Sequence, residues 1–237
     1  LKNITKAGLL ILLVLIADQT LKIWVKTHMS YGDEIKMFGK EWALIHFVEN
    51  NGMAFGLSLG GEYGKLALSL FRILAVVFLV FFIRQLVLEK SKFGVLASFA
   101  LILAGALGNI LDSAFYGLIF SESPFHGGLA QLFPKGGGYA GFLHGRVVDM
   151  LYFPMFQGVY PKWIPLIGGS DYFFFKPVFN IADMSITFGV FNILLFQRHF
   201  FFQQRADAPV AVEVPSHTQN EEQDTSLDES LPPMEQE

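Results

Sequence analysis

Three acidic residues stand inside long apolar stretches of the sequence: Asp18, Asp112 and Asp183. A fourth, Asp149, follows the apolar pair Val147–Val148. An acid at the centre of a membrane span costs roughly 2.5–3.5 kcal/mol on insertion scales, so such residues are kept for a purpose. Asp18 has Lys22 four residues on, one helical turn away, and the pair can anchor a helix end. Asp112 can be held at its helix end by its own backbone, and Asp149, taken alone, reads as a solvated loop residue. Asp183 has Asn180 one turn before it and Ser185 just after it, giving its helix a polar start. Two carboxylates that face each other cannot both ionise and so share a proton. The ionised member can take a proton from water while the protonated member polarises a carbonyl, which is aspartic protease chemistry. Asp149 and Asp183 are 34 residues apart in sequence, so spacing by itself does not pair them. His28, His46, His126, His144, His199 and His217 show no metal-ligand spacing, and neither a metal nor a cofactor is expected.

The elements that must position these acids are membrane spans. Of 237 residues, 52% are hydrophobic and only 16% charged, and 26 are phenylalanine. A soluble domain carries about 25% charge, so a disordered chain, a fibrous protein and an enzyme with a charged shell are excluded. Four segments can cross a ~30 Å hydrocarbon layer, roughly residues 7–25, 66–88, 94–112 and 177–197, the last opened by Pro177 at its first turn. Arg84, Lys90 and Lys92 lie in the short connection between the second and third segments, which places it in the cytoplasm. Both termini then lie in the cytoplasm, and the long connections 27–65 and 114–176 lie outside. At 1.5 Å per residue, Asp18 falls ~10 Å short of the outer end of its helix and Asp183 ~9 Å below the start of its own. Asp112 closes the third helix at the same side. The acids therefore converge on the outer third of the membrane. Arg72 in the second segment snorkels or pairs with an acid.

The expected fold is an all-α integral membrane protein, residues 1–205, with four transmembrane helices, a small extracytoplasmic β-rich segment and interfacial loops. Residues 41–57 mix aromatic and β-branched residues with an Asn–Gly turn, which fits a short sheet. Residues 120–145 and 151–176, rich in Gly, Pro and aromatics, fit the head-group interface. From Asp207 onward there are nine acids and no Lys or Arg, so residues 1–206 carry 17 basic and 12 acidic residues. Residues 206–237 read as a disordered acidic cytoplasmic tail, and the basic body suits anionic lipid head groups. The absence of cysteine excludes disulfides, thiolate metal sites and a thiol nucleophile.

Five short motifs, in order between residues 7 and 198, resemble those of lipoprotein signal peptidase (signal peptidase II), in its Bacteroidetes-type members. They are Asp18-Gln19-Thr20-Leu21-Lys22, Asn50-Asn51-Gly52-Met53-Ala54-Phe55, Gly108-Asn109-Ile110-Leu111-Asp112, Val147-Val148-Asp149 and Phe179-Asn180-Ile181-Ala182-Asp183. The resemblance implies a bacterial inner-membrane aspartic endopeptidase that cleaves prolipoproteins before a diacylglyceryl-modified cysteine, with Asp149 and Asp183 as the catalytic pair near the outer face. It implies that Asn50, Gly52, Asn109 and Asn180 hold substrate backbone or orient the carboxylates, and that Asp18, Lys22 and Asp112 hold the helices together. The partners expected are these prolipoproteins and membrane lipids, with no nucleic acid, and the protein is expected to be a monomer. Where the family has Arg after Gly-Asn-x-x-Asp this chain has Ser113, and Arg146 is the candidate replacement. The loop insertions and the tail are extra. A small proton-coupled transporter, with the acids as a relay, and a noncatalytic membrane scaffold are the alternatives. A relay places its acids at several depths, whereas these cluster on one side.

Overall fold

The computed structural model describes residues 2–52, 61–125, 127–154, 156–174 and 177–197. The acidic tail 206–237 and Met53-Ala54-Phe55 lie outside the described residues.

Among the described residues, three helices are long and apolar enough to cross a membrane. The first, α1, spans Lys2–His28, α2 spans Gly61–Leu88 and α3 spans Phe93–Leu111. The last of these widens into a π-helical turn at Asp112–Tyr116 and closes with one more turn at Gly117–Ile119, so the apolar stretch runs on over Phe93–Ile119. Asp112 therefore does not end its helix. It sits at the start of the π turn, and π turns concentrate at functional sites.

The outward faces of the helices are apolar rather than charged. Leu9, Leu12, Leu13 and Ile16 of α1 and Phe71, Leu74, Phe78 and Phe81 of α2 are all exposed. An apolar exterior of this extent is a lipid-facing one, and the protein is a multi-pass membrane protein.

The segment expected to begin a helix at Pro177 does otherwise. Val178–Phe179 forms a strand, Asn180 caps, and the helix, α4, runs over Ile181–Phe196. Its 16 residues span ~24 Å at 1.5 Å each, less than the ~30 Å hydrocarbon layer. The physical reason lies in the sequence. A β-branched residue and an aromatic residue favour strand pairing, and Asn is among the best N-cap residues. Helix α4 packs mainly on α3, through small residues that let the backbones approach. A Cβ on Gly105 would lie 2.2 Å from the carbonyl oxygen of Ala182, and one on Gly189 would lie 2.6 Å from that of Ser98. Ser185 Oγ donates to the Leu101 carbonyl at 2.7 Å, and Asn192 Nδ2 donates to Ser98 Oγ at 2.7 Å.

The expected short sheet is present. Strand β1 is Glu34–Lys36, β2 is Leu44–Asn50, β3 is Val147–Tyr152, and a hairpin of β4 (Phe156–Val159) and β5 (Asp171–Phe174) leads to β6, Val178–Phe179. Strands β1, β2, β3 and β6 pair in that order, all antiparallel. One face of the sheet sits on the end of α1 and on the π turn, where Val25, Met29, Phe47, Tyr116, Phe120, Val148 and Met150 form a buried core. A second core of Ala7, Leu86, Val95, Leu96 and Ala100 joins the helices at the other end. The loop from Phe120 to Arg146 lies close on the π turn. Gly145 donates its N–H to the Ser113 carbonyl at 2.8 Å, and a Cβ there would meet the Asp112 carbonyl at 2.2 Å. That contact delivers β3 to the helix bundle.

The α3–α4 contact generates a prediction. Gly105→Ala should lower stability by about 1–3 kcal/mol, because overpacking against backbone cannot be relieved by a rotamer change. Gly8→Ala, where nothing lies within 4 Å of the added carbon, should be neutral or slightly stabilising, since Ala favours helix over Gly. Thermal unfolding of both variants in detergent checks the contrast, and equal midpoints would show that the helices are not in close contact at Gly105.

Candidate active site

Asp149 lies in the middle of β3, on the face away from Val148 and Met150, which point into the core. Both of its oxygens accept side-chain amides. Asn180 Nδ2 donates to Oδ1 at 2.6 Å and Asn50 Nδ2 donates to Oδ2 at 2.5 Å. Asn50 is itself fixed by an Asx turn, its Oδ1 accepting the Gly52 N–H at 2.6 Å. Gly52 takes φ +85°, and a Cβ there would lie 2.6 Å from a nitrogen of Arg72. The turn therefore demands glycine. Arg72 on α2 donates to the Gly52 carbonyl at 2.6 Å rather than snorkelling, and its charge lies in the field of Asp183, Asp112 and Asp149.

Asp183 stands in the first turn of α4 as part of a capping box. Asn180 Oδ1 accepts the Asp183 N–H at 2.9 Å, and the Asn180 N–H donates to Asp183 Oδ2 at 3.3 Å. A carboxylate is favoured at that end of a helix. Its other oxygen accepts from Asn109 Nδ2 at 2.8 Å. Asn180, fully buried, thus touches both aspartates. It also shares its amide hydrogens with Asn109 Oδ1 at 3.1 Å and the Val148 carbonyl at 3.3 Å.

Beneath these residues lies a buried cation. The Lys22 ammonium donates to Asp18 at 2.9 Å, to Asp112 at 2.8 Å and to Asn109 Oδ1 at 3.0 Å, and all three of its hydrogens are satisfied. Each carboxylate then reaches a backbone amide beside one of the two upper aspartates. Asp18 accepts the Ala182 N–H at 2.9 Å, one residue before Asp183. Asp112 accepts the Val148 N–H at 3.2 Å, one residue before Asp149. Gln19, which the sequence motifs contain without an evident role, donates to Asp112 at 2.9 Å and to the Gly108 carbonyl at 3.2 Å, and accepts the Tyr116 hydroxyl at 3.1 Å. Its position next to Asp18, in a stretch otherwise apolar, was the available signal.

Ser113, buried, donates to the Asn109 carbonyl at 3.1 Å. Arg146 lies elsewhere. It donates to Glu122 at 3.0 Å, approaches Glu49 at 3.6 Å and covers the Tyr139 ring. The guanidinium near Asp112, Asp149 and Asp183 is that of Arg72.

The electrostatics favour a protonated Asp149. Burial pushes its carboxyl up to about 8, and the neighbouring Asp183 charge adds to the shift. No cluster able to hold a metal ion occurs among the described residues.

Comparison with known proteins decides the family. The signal peptidase (SPase) II family model matches residues 10–200. The chain belongs to the signal peptidase II family. A lipoprotein signal peptidase of Porphyromonas gingivalis is 51% identical over 187 residues, covering 78% of this chain and 80% of the relative. One of Amoebophilus asiaticus is 36% identical over 200 residues, covering 83% and 79%. A bacterial membrane enzyme solved by the in meso method at 2.3 Å resolution shares the fold, with a TM-score of 0.52 at 21% identity, covering 89% of this chain and 95% of that one. This signal peptidase II family member is therefore a protease, and its Bacteroidetes resemblance holds.

A stability prediction follows from the raised Asp149. Its folded pKa of about 8 exceeds the unfolded value of ~3.9, so folding takes up a proton between those limits and stability falls as pH rises through them. Asp149→Asn removes that dependence. The stability of the wild type relative to the variant should fall steadily from pH 4 to pH 8. The substituted side chain brings N–H donors of its own against those of Asn50 or Asn180, and this offsets the whole curve without changing its slope. Parallel pH dependences for the two proteins would show that Asp149 is not raised.

Proposed function

We propose that this protein removes signal peptides from diacylglyceryl-modified prolipoproteins, cutting before the lipidated cysteine, and that Asp149 and Asp183 are its catalytic pair. The observation that carries the reading is that one buried residue, Asn180, is hydrogen-bonded to both carboxylates, its side-chain amide donating to Asp149 and its backbone N–H to Asp183, and that the two acids arrive on different elements. Family membership supplies the substrate class. Four acids joined in one layer, rather than spread in depth, do not suit a transport relay.

In the proposed reaction Asp149 holds the proton and Asp183, stabilised by Asn109 and the Asn180 N–H, carries the charge. Asp183 takes a proton from a water molecule as its oxygen attacks the scissile carbonyl, while the Asp149 proton bonds to the carbonyl oxygen. As the tetrahedral intermediate collapses, the C–N bond breaks, the proton on Asp183 passes to the leaving amine, and the proton lent by Asp149 returns to it from the intermediate's hydroxyl as the new carboxyl group forms. The products are a signal peptide ending in a new carboxyl group and a lipoprotein beginning with its diacylglyceryl-cysteine amine. Asn50 and Asn180 orient Asp149, Asn109 orients Asp183, and Gly52 forms the turn that aims Asn50. Asp18, Lys22 and Asp112 fix the backbone around the pair, and Arg146 supports the outer loop. The acyl chains lie along the apolar outer faces of the helices.

The proposed topology has four crossings, α4 being the last, in a single peptidase domain of residues 1–205 in the bacterial inner membrane. The exposed apolar residues Phe188, Phe191, Leu194 and Leu195 of α4 support this. Both termini, including the tail 206–237, lie in the cytoplasm, the pair lies toward the outer face, and the protein acts as a monomer.

Single-turnover cleavage of a diacylglyceryl-cysteine peptide tests the chemistry. Asp149→Asn and Asp183→Asn should each abolish cleavage in folded, inserted protein, and the double variant should be little worse than either, because residues that act as a unit are non-additive. The wild-type rate should trace a bell in pH. Its alkaline limb should centre near the raised Asp149 value, since above it both carboxyls are ionised. Robust cleavage by folded Asp149→Asn would remove that residue from the mechanism. The topology has its own check. A reporter fused near Lys90 should read as cytoplasmic and one near Gly137 as external, and a cytoplasmic signal at Gly137 would overturn the four-crossing arrangement.

A further inference from the structure

Strand β2 ends on two consecutive polar residues, Glu49 and Asn50, whose side chains point to opposite faces of the sheet. Asn50 points to Asp149. Glu49 points back into the core, where its side chain is 1% exposed and pairs with Lys26 of α1, itself fully buried. Ser123 completes the group. Its Oγ accepts from Lys26 at 2.8 Å and donates to Glu49 at 2.9 Å. The Lys26 ammonium also lies 5.3 Å from the Phe120 ring centroid and 5.1 Å from that of Tyr139. None of these groups touches either aspartate of the proposed pair.

A buried ion pair is a weak source of stability, because apolar residues of similar volume do as well. Its best-attested use is to fix register. Strand β2 has a register to fix. Leu44 and Ile45 oppose Tyr152 and Leu151, whereas Val48, Glu49 and Asn50 oppose Asp149, Val148 and Val147, with an irregularity between. One extra residue of β2 is absorbed there as a bulge. Continued without it, the upstream register would exchange the faces of every later residue. Glu49 would then lie on the Asp149 face and Asn50 would face the core. In the observed register alone, Glu49 meets Lys26 and Asn50 meets Asp149.

We propose that the Lys26–Glu49 pair is a register lock for β2, and that both are positioning residues that hold Asn50 against Asp149 during cleavage. The proposal rests on the reading of Asp149 and Asp183 as the catalytic pair. If the lock is removed, Asp149 loses one N–H donor, which disfavours its ionised form. The charged groups facing Asp149 stay in place: Asp183 from α4, Lys22 from α1, Asp112 from α3 and Arg72 from α2. Those facing Glu49 besides Lys26 are Arg146 and, more distantly, Lys65.

The experiment compares single-turnover pH–rate profiles of wild type, Lys26→Met/Glu49→Ser, Asn50→Ala and the triple variant, serine having no strong preference for either face of the sheet. The double variant keeps the net charge and should remain folded. Its rate should fall about 10–100-fold, as expected for misplacement of a positioning group, and its alkaline limb should move to higher pH, as in Asn50→Ala. The triple variant should be little worse than Asn50→Ala alone, because the two changes remove the same contact. A wild-type rate and limb in the double variant, or a loss that adds in full to that of Asn50→Ala with an unmoved limb, would overturn the lock. Should the double variant not insert, Glu49→Gln serves instead. Its loss of negative charge would by itself move the limb to lower pH, so an upward shift reports the displaced Asn50 and any other result rejects the proposal. Asp149→Asn is run alongside. If it still cleaves, the catalytic reading falls; if it is inactive while the lock variants keep the wild-type profile, only the lock falls.

Discussion

One ammonium group, that of Lys22, governs the architecture. Buried inside a helix bundle, a lysine needs three acceptors, and each acceptor it has taken belongs to a different task. Asp18 reaches over to the first turn of α4, Asp112 reaches up to β3, and Asn109 reaches to Asp183 and Asn180. Removing the cation would leave two buried carboxylates facing each other, a loss of order 3–5 kcal/mol for a broken buried pair. The fold therefore cannot place α4 or β3 independently of α1. Four separate stretches of chain, α1, the end of α3, α4 and β3, are brought to one point around this charge.

The remaining features serve that point. Small residues on α3 let α4 approach close enough for Asp18 to reach the Ala182 amide. The π turn carries the chain beyond Asp112, so that this acid faces the bundle interior while the following loop returns to start β3. The Asx turn at Asn50 and the positive φ at Gly52 aim an amide at Asp149. A buried carboxyl that resists ionisation opposes folding at neutral pH, and the surrounding amides and helix end offset part of that cost.

Much of this was legible in the sequence. Length and hydropathy marked the three long helices, and the mixture of aromatic and β-branched residues before Asn51–Gly52 marked the sheet. The acids were conspicuous because each interrupts an apolar run. What the sequence could not show was partnership between distant segments. The i,i+4 spacing of Asp18 and Lys22 suggests a local pair, but nothing in it shows that the same ammonium also holds Asp112. Asn180 reads as a residue near an acid, and only the folded chain shows it to be a helix cap bonded to two aspartates. The start of α4 lies at Ile181 and not at Pro177, because apolar content cannot distinguish the last residues of a strand from the first residues of a helix. Nothing in the sequence sets Glu49 and Lys26 apart, because a charge in a strand and a lysine near a helix end are ordinary until burial is known.

Asn180 has a consequence for biogenesis. The same side chain caps the first turn of α4 through Oδ1 and donates to Asp149 through Nδ2, so the proposed pair is complete only when that turn has closed and α4 has docked beside β3. A newly inserted chain whose last helix has not yet docked has Asp149 and Asp183 on unconnected segments. On the proposed reading of the pair, cleaving power requires that docking, so a chain whose α4 is still undocked would not cleave.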